Sequence, residues 1–209
     1  MVNKTRLLIG ASILVAAGVQ GQTEFGLKAG VNFPTYSYAD SDALSDTKSF
    51  VSFYLAGYLD TRIASGLYLH PEVSLQGKGG KLVEADWLGS GTVIQKTIWL
   101  DFPVNLLSKV PVGSIGNVFA GAGPYIGFAM NGTNSYTDGG SATAVIIYDD
   151  NALKTVDYGV NFLAGFKLGK RASLNANYRL GLANVAGATY KWSDNIKNRV
   201  FSLGVGVAL

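Results

Sequence analysis

Along most of this chain apolar side chains fall on every second residue, and no other feature restricts its fold so tightly. From Phe25 onward, Phe25, Leu27, Ala29, Val31 and Phe33 alternate with Glu24, Gly26, Lys28, Gly30 and Asn32. A period of two describes a β-strand with one apolar and one polar face, whereas a helix would scatter the same residues around its axis. The pattern recurs in runs at 51–60, 67–76, 98–106, 118–130, 158–168, 174–182 and 201–209, which makes eight strands.

Such strands suit either a soluble sandwich that buries the apolar face or a membrane barrel that shows it to lipid. Length separates the two. Each run is about ten residues or longer, as a tilted membrane-crossing strand requires, while globular strands average about five or six. Connection lengths point the same way. Residues 34–49, 78–93, 131–154 and 184–198 read as long connections, 61–66 and 169–172 as short ones and 107–116 as intermediate. Long loops on one side and tight turns on the other characterise outer-membrane barrels, whose termini and turns face the periplasm. The expected fold is therefore all-β, an eight-stranded antiparallel up-and-down transmembrane β-barrel. A transmembrane helix over the uncharged stretch 110–137 is ruled out by Pro111, Gly113, Gly116, Gly121, Gly123, Pro124 and Gly127, and by the alternation from Val118. The glycines of 121–127 have the wrong spacing for a dinucleotide loop.

The start of the chain reads as an address. Lys4 and Arg6 precede an uncharged apolar stretch, Leu7 to Val19, too short to span a bilayer. With Val19 and Gly21 as the small residues before a cut ahead of Gln22, residues 1–21 are expected to be a cleaved signal peptide and 22–209 the barrel domain. Without Lys4 and Arg6 the chain has 15 basic and 14 acidic residues, so its basic character implies no nucleic-acid partner. The absence of cysteine removes disulfides, thiolate metal sites and thiol catalysis.

Five segments in order, GLKAGVNF, LYLHPEVSLQGKGGK, WLDFPVNLL, FAGAGPYIGFAM and VDYGVNFLAGFKLG, followed by ASLNANYRLGLANV and NRVFSLGVGVAL, resemble the PorT-like outer-membrane β-barrel family common in Bacteroidetes. The resemblance covers 26–209. It implies the barrel fold, the outer membrane and dependence on the outer-membrane assembly machinery, but no activity. Two features depart from the pattern: the chain ends in Leu209 where such barrels usually end in an aromatic residue, and the 137–150 loop matches nothing in the family.

An eight-stranded barrel is just wide enough for its own side chains to fill it, so no open pore is expected. By parity the interior receives Glu24, Lys28, Asp60, His70, Glu72, Lys78, Asp101, Asp157, Lys167 and Arg179. Lys28, His70, Glu72, Asp101 and Arg179 are the candidate site, an interior polar network with a structural role, because intramembrane charges must pair. Lys28, Glu72, Asp101 and Arg179 are expected near mid-depth in one paired network. His70, the single histidine, is expected in the periplasmic half, hydrogen-bonded to Glu72. No catalytic, cofactor or metal residues are assigned, and Asp138, Asp149 and Asp150 read as solvated loop acids. Pro71, Pro103 and Pro124 interrupt strands, where bulges or strand ends are expected. Tyr36, Tyr38, Trp87, Tyr136, Tyr148, Tyr190 and Trp192 read as aromatics at the membrane interface. The functional expectation is a monomeric, plugged outer-membrane barrel with a structural or interaction role carried by its extracellular loops. A lipid-modifying barrel enzyme is the alternative, and a narrow gated channel a third.

Overall fold

The computed structural model describes residues 23–38, 47–83, 92–137, 141–145, 153–187 and 195–209; the expected signal segment 1–21 lies outside them. Ten strands follow in chain order: β1 (Thr23–Tyr38), β2 (Thr47–Lys48), β3 (Ser52–Ala64), β4 (Leu67–Val83), β5 (Thr92–Val112), β6 (Gly116–Thr137), β7 (Ser141–Val145), β8 (Val156–Leu168), β9 (Ala172–Gly181) and β10 (Ile196–Ala208). Eight of them form the wall. β1 pairs with β3, then β4, β5, β6, β8, β9 and β10 follow as antiparallel neighbours. β10 returns to β1 from Gly26–Ala208 to Tyr38–Ile196, so the ring closes and no wall edge is left. β2 pairs with β4 beyond the start of β3, and β7 makes a hairpin with β6.

The alternation sorts side chains into an apolar exterior and a polar lumen. Leu55, Leu203 and Val205 are 52, 45 and 58% exposed, whereas Asn32, Gln76, Lys78, Asp101 and Ser202 are fully buried. That is the reverse of a protein folded in water, and it suits a wall surrounded by hydrocarbon. Three tight connections, Ser65–Gly66, Gly113–Ile115 and Gly169–Arg171, share one rim with Thr23 and Ala208. Gly66 (φ 72°), Gly113 (φ 55°) and Gly169 (φ 57°) supply the left-handed backbone that these turns require. The four longer connections share the opposite rim.

The wall is taller there than the alternation suggests. β1 runs through Pro34 to Tyr38, β4 reaches Val83, β5 begins at Thr92 and β6 reaches Thr137, all within stretches read as loop. Above the apolar band the outward residues become polar, Thr35, Lys81, Lys96 and Thr133 among them, so the period fades while the backbone ladder continues. At the other end β5 continues to Val112 and leaves only a three-residue turn.

The prolines produce neither bulges nor strand ends. Pairing lapses for two positions beside each of them, between β3 and β4 at Pro71, β4 and β5 at Pro103, and β5 and β6 at Pro124, and resumes in unchanged register. An antiparallel ladder draws on alternate residues for each neighbour, so a missing N–H costs one local bond and does not shift the strand. The one shift between β5 and β6 lies elsewhere: Ile98 faces Asn131 but Trp99 faces Ala129, a bulge at Met130. Above it the parity of β6 flips, and Asn134 turns inward to accept a bond from Gln95.

Small residues make room for large ones inside. A Cβ on Gly26 would collide with the Tyr58 ring, and one on Gly204 with the Tyr54 hydroxyl. Residues 22–209 should therefore migrate as a compact band on an unboiled detergent gel and shift on boiling. Gly204→Val, which drives a branched side chain into Tyr54 and the Ala29 backbone, should weaken or abolish that band through overpacking of about 1–3 kcal/mol or more.

Candidate functional site

The lumen holds one continuous column of charge. Lys109 of β5, near the turn rim, donates to Asp60 Oδ2 of β3 at 2.5 Å, and Asp60 Oδ1 faces His70 Nδ1 of β4 at 2.6 Å. Lys28 of β1 lies 2.8 Å from His70 Nε2 and 2.6 Å from Glu72 Oε2. An ammonium only donates, so Nε2 is the acceptor and Nδ1 carries the proton given to Asp60, which makes His70 the neutral Nδ1–H tautomer. Arg179 of β9 donates to Glu72 Oε1 at 3.1 Å, and its Nε lies 3.4 Å from Asp101 Oδ2. Lys78 of β4 then sits 3.0 Å from Asp101 and 2.9 Å from Asp157. Asn198 and Tyr125 also donate to Asp157 Oδ2, each at 3.0 Å.

Two local features hold the cations in place. Lys78 lies between the Trp99 and Tyr125 rings, 5.0 and 4.9 Å from their centroids, and Lys28 lies 4.8 Å from that of Tyr58. Tyr58 in turn stacks on His70. Asp101 is the least satisfied member. Lys78 and Arg179 approach it as ions without hydrogen-bond alignment, and neither of its oxygens has a hydrogen-bond donor.

Of the five candidate residues, Lys28, Glu72, Arg179 and Asp101 occur consecutively in the column, and His70 joins it through Lys28. The expected His70–Glu72 bond is absent. His70 Nε2 and Glu72 Oε2 are 3.8 Å apart, because the two ring nitrogens are engaged by Asp60 and Lys28. Lys109 is the residue missed from sequence. Carrying the odd parity of β5 two residues beyond Leu107 would have placed it inside. With Lys167, which pairs with Glu24 at the turn rim, it gives the lumen five cations and five carboxylates among the described residues: Lys28, Lys78, Lys109, Lys167 and Arg179 against Glu24, Asp60, Glu72, Asp101 and Asp157.

Above the column an apolar cap closes the loop-rim mouth. Tyr36, Trp99, Ala183, Val185, Ala186 and Ile196 pack together, with Val185 only 1% exposed. The segment after β9 is drawn inward by bonds from Lys154 N to Val185 O and from Val185 N to Ile196 O, while Asn184 Oδ1 accepts from the amides of Ala186 and Ile196. Tyr36 thus belongs to the cap and not to the interface. Trp87, Tyr148, Tyr190, Trp192 and the loop acids Asp138, Asp149 and Asp150 lie outside the described residues. Below the column a polar vestibule of about 610 Å³, bordered by Glu24, Asp60, Lys109 and Lys167, opens at the turn rim. It narrows to a space of about 20 Å³ beside His70, which admits a single water.

This arrangement leaves His70 no free acceptor with which to activate a hydroxyl. Its Nε2 faces an ammonium, so the Asp60–His70 pair has no nucleophile in line. Among the described residues no three His, Asp or Glu side chains converge on a metal-sized site.

A family model described as outer membrane protein beta-barrel domain matches residues 18–187. The chain belongs to that family. It is an integral outer-membrane barrel, with the turn rim and both ends of its wall facing the periplasm and the long loops facing outward. No curated protein matches it in sequence. Among solved structures it is similar to Ail, the attachment invasion locus protein of Yersinia pestis, at 10% identity over 90% of this chain and 99% of that one, with a TM-score of 0.45. Neisserial surface protein A gives 16% identity, 90 and 98% coverage and 0.44, and OprG of Pseudomonas aeruginosa gives 10%, 90 and 97% and 0.45.

Removing one member of the buried column leaves its partners charged and unpaired. Lys78→Met, which leaves Asp157 without a cation and Asp101 with Arg179 alone, should lower unfolding stability in urea by about 3–5 kcal/mol. Lys167→Met, at the open periplasmic rim, should cost about 1 kcal/mol or less.

Proposed function

We propose that this barrel is a closed, monomeric, non-catalytic scaffold of the PorT-like kind. Its extracellular loops carry a structural or interaction role toward a protein or glycan partner. In this reading residues 1–21 are a signal peptide removed on export, the mature chain reaches the membrane through the outer-membrane assembly machinery, and Lys28, His70, Glu72, Asp101 and Arg179 stabilise the lumen without handling a ligand. The observation that carries the reading is the double closure of the lumen. An ion entering from the periplasm meets fully buried Lys78, Asp101 and Asp157, and beyond them the apolar cap around Val185. A transported solute would have to break pairs that each cost several kcal/mol to separate. The loops are the parts free to vary on a rigid wall, and function concentrates on such segments.

Planar-bilayer recordings test the closure. The purified barrel should show no regular conductance steps at physiological salt, and steps altered by Asp101→Asn would replace the scaffold with a gated channel. A second test addresses the loops. Replacing 84–91 and 188–194 by short turns should leave the heat-modifiable band intact, because the cap around Val185 and the charged column are built from residues outside both segments. Loss of the band would make those loops part of the fold and not a free interaction surface.

A further inference from the structure

The exterior distributes charge differently from the lumen. All five described carboxylates point inward, whereas Lys48, Lys81 and Lys96 lie on the outer surface of the wall near the extracellular rim. Lys48 stands directly opposite Lys81 across the β2–β4 pair. Lys96 is its diagonal neighbour on β5, since Lys81 faces Ile94 and Gly79 faces Lys96. Like charges directly opposite on one sheet face repel. Among the described residues none of the three has a carboxylate within ion-pair distance.

Depth places these lysines at the membrane surface. From Val110 to Ile98 the outward side chains of β5 are apolar except Ser108, and these twelve residue steps rise roughly 30 Å at ordinary strand rise and tilt. Lys96 is the next outward residue, immediately above the hydrocarbon band. Beside it lies a surface groove of about 330 Å³ whose lining includes Phe50, Val51, Phe53, Ile98 and Lys96. Two glycines of β4 account for it. Gly77 and Gly79 face outward between β3 and β5, and a Cβ on either would collide with Ser52 or with the Gln95 backbone. Phe50 lies against this notch and holds the Lys96 ammonium 6.0 Å from its ring at the groove's mouth.

A largely apolar trough running up to a cluster of ammonium groups that no described carboxylate neutralises, at headgroup height, is complementary to one kind of partner. We infer that this flank binds a phosphorylated lipid of the outer leaflet, with an acyl chain in the groove and its phosphate bridging Lys81 and Lys96, and with Lys48 adding charge. The phosphate relieves the repulsion among the lysines and makes charge-assisted bonds at the edge of a low-dielectric medium. The lipid serves as an annular ligand that fixes the barrel's depth and orientation on the side where β2 and the first long loop leave the wall.

The test uses the purified mature barrel in zwitterionic detergent, with bis-phosphorylated lipid A as the probe and native mass spectrometry as the readout. One lipid A should bind per barrel. Lys81→Gln with Lys96→Gln should weaken binding by about tenfold or more, while Lys197→Gln, on the far flank, should change it by less than about twofold. Dephosphorylated lipid A with the same acyl chains should bind about tenfold more weakly, and inorganic phosphate should not compete. The heat-modifiable band confirms that each variant is folded. Several outcomes overturn the inference: wild-type binding by the double variant, an equal loss with Lys197→Gln, or equal binding of dephosphorylated lipid A. Competition by millimolar phosphate overturns it too, in favour of a free-anion site without a lipid.

Discussion

A charge removed from water into a narrow, protein-lined lumen has to meet an opposite charge, and most of this structure follows from meeting that demand ten times over. Each isolated ion would cost several kcal/mol of desolvation. The chain answers with alternation along the barrel: Lys109, Asp60, Lys28, Glu72, Arg179, Asp101, Lys78 and Asp157 succeed one another as cation and anion. His70 is the one neutral member, and it can be neutral because it accepts from Lys28 and donates to Asp60. The column draws on β1, β3, β4, β5, β8 and β9. It thereby ties together strands far apart in sequence and fixes which residues must face inward. A one-residue slip of any contributing strand would turn a charge out into lipid, so the ionic lumen enforces register as strongly as the apolar exterior does.

The same reasoning explains where the sequence is transparent and where it is opaque. Parity alone locates Lys28, Glu72, Lys78, Asp101, Asp157 and Arg179 on the lumen side, because the outward partners Leu27, Val73, Leu100, Tyr158 and Tyr178 are apolar and a period of two leaves no other choice. Partner choice is not legible in that way. His70 and Glu72 are two residues apart on one strand and look like a pair, but side chains at that spacing stack along the same face, and across the barrel Lys28 comes between them. Strand ends are hidden too. Lys109 follows the odd parity of β5, yet the Lys109-Val110-Pro111 stretch resembles a connection, and only the ladder to Val118 and Asn117 shows that the wall continues. The bulge at Met130 and the cap around Val185 leave no periodic trace at all.

The prolines add a point about tolerance. Pro71, Pro103 and Pro124 lie on three adjacent strands, so their lapses in pairing form one oblique seam across β3 to β6 and are not scattered around the ring. Lumen side chains tie down that seam: Asp60 and His70 occupy the first lapse, Glu72 and Asn105 the later ones, and Asp101 lies beside the second. Asn105 additionally accepts a bond from Asn161 on β8 across the lumen. A wall that loses ladder bonds locally can keep its register when the side chains beneath are cross-linked through the interior.

Charge segregation extends this logic beyond the lumen. The five described carboxylates are all used inside, where each must neutralise a cation at close range and none can be spared. The exterior is left with cations only among the described residues, and those near the extracellular rim sit just above an apolar band too tall to end by accident at Lys96. Inside, the protein supplies both signs itself. Outside, the adjoining phase can supply the anion to Lys48, Lys81 and Lys96. Among the described residues, a balanced interior beside an exterior that carries only cations is the distribution expected of a barrel whose lumen neutralises itself and whose surroundings carry the countercharge.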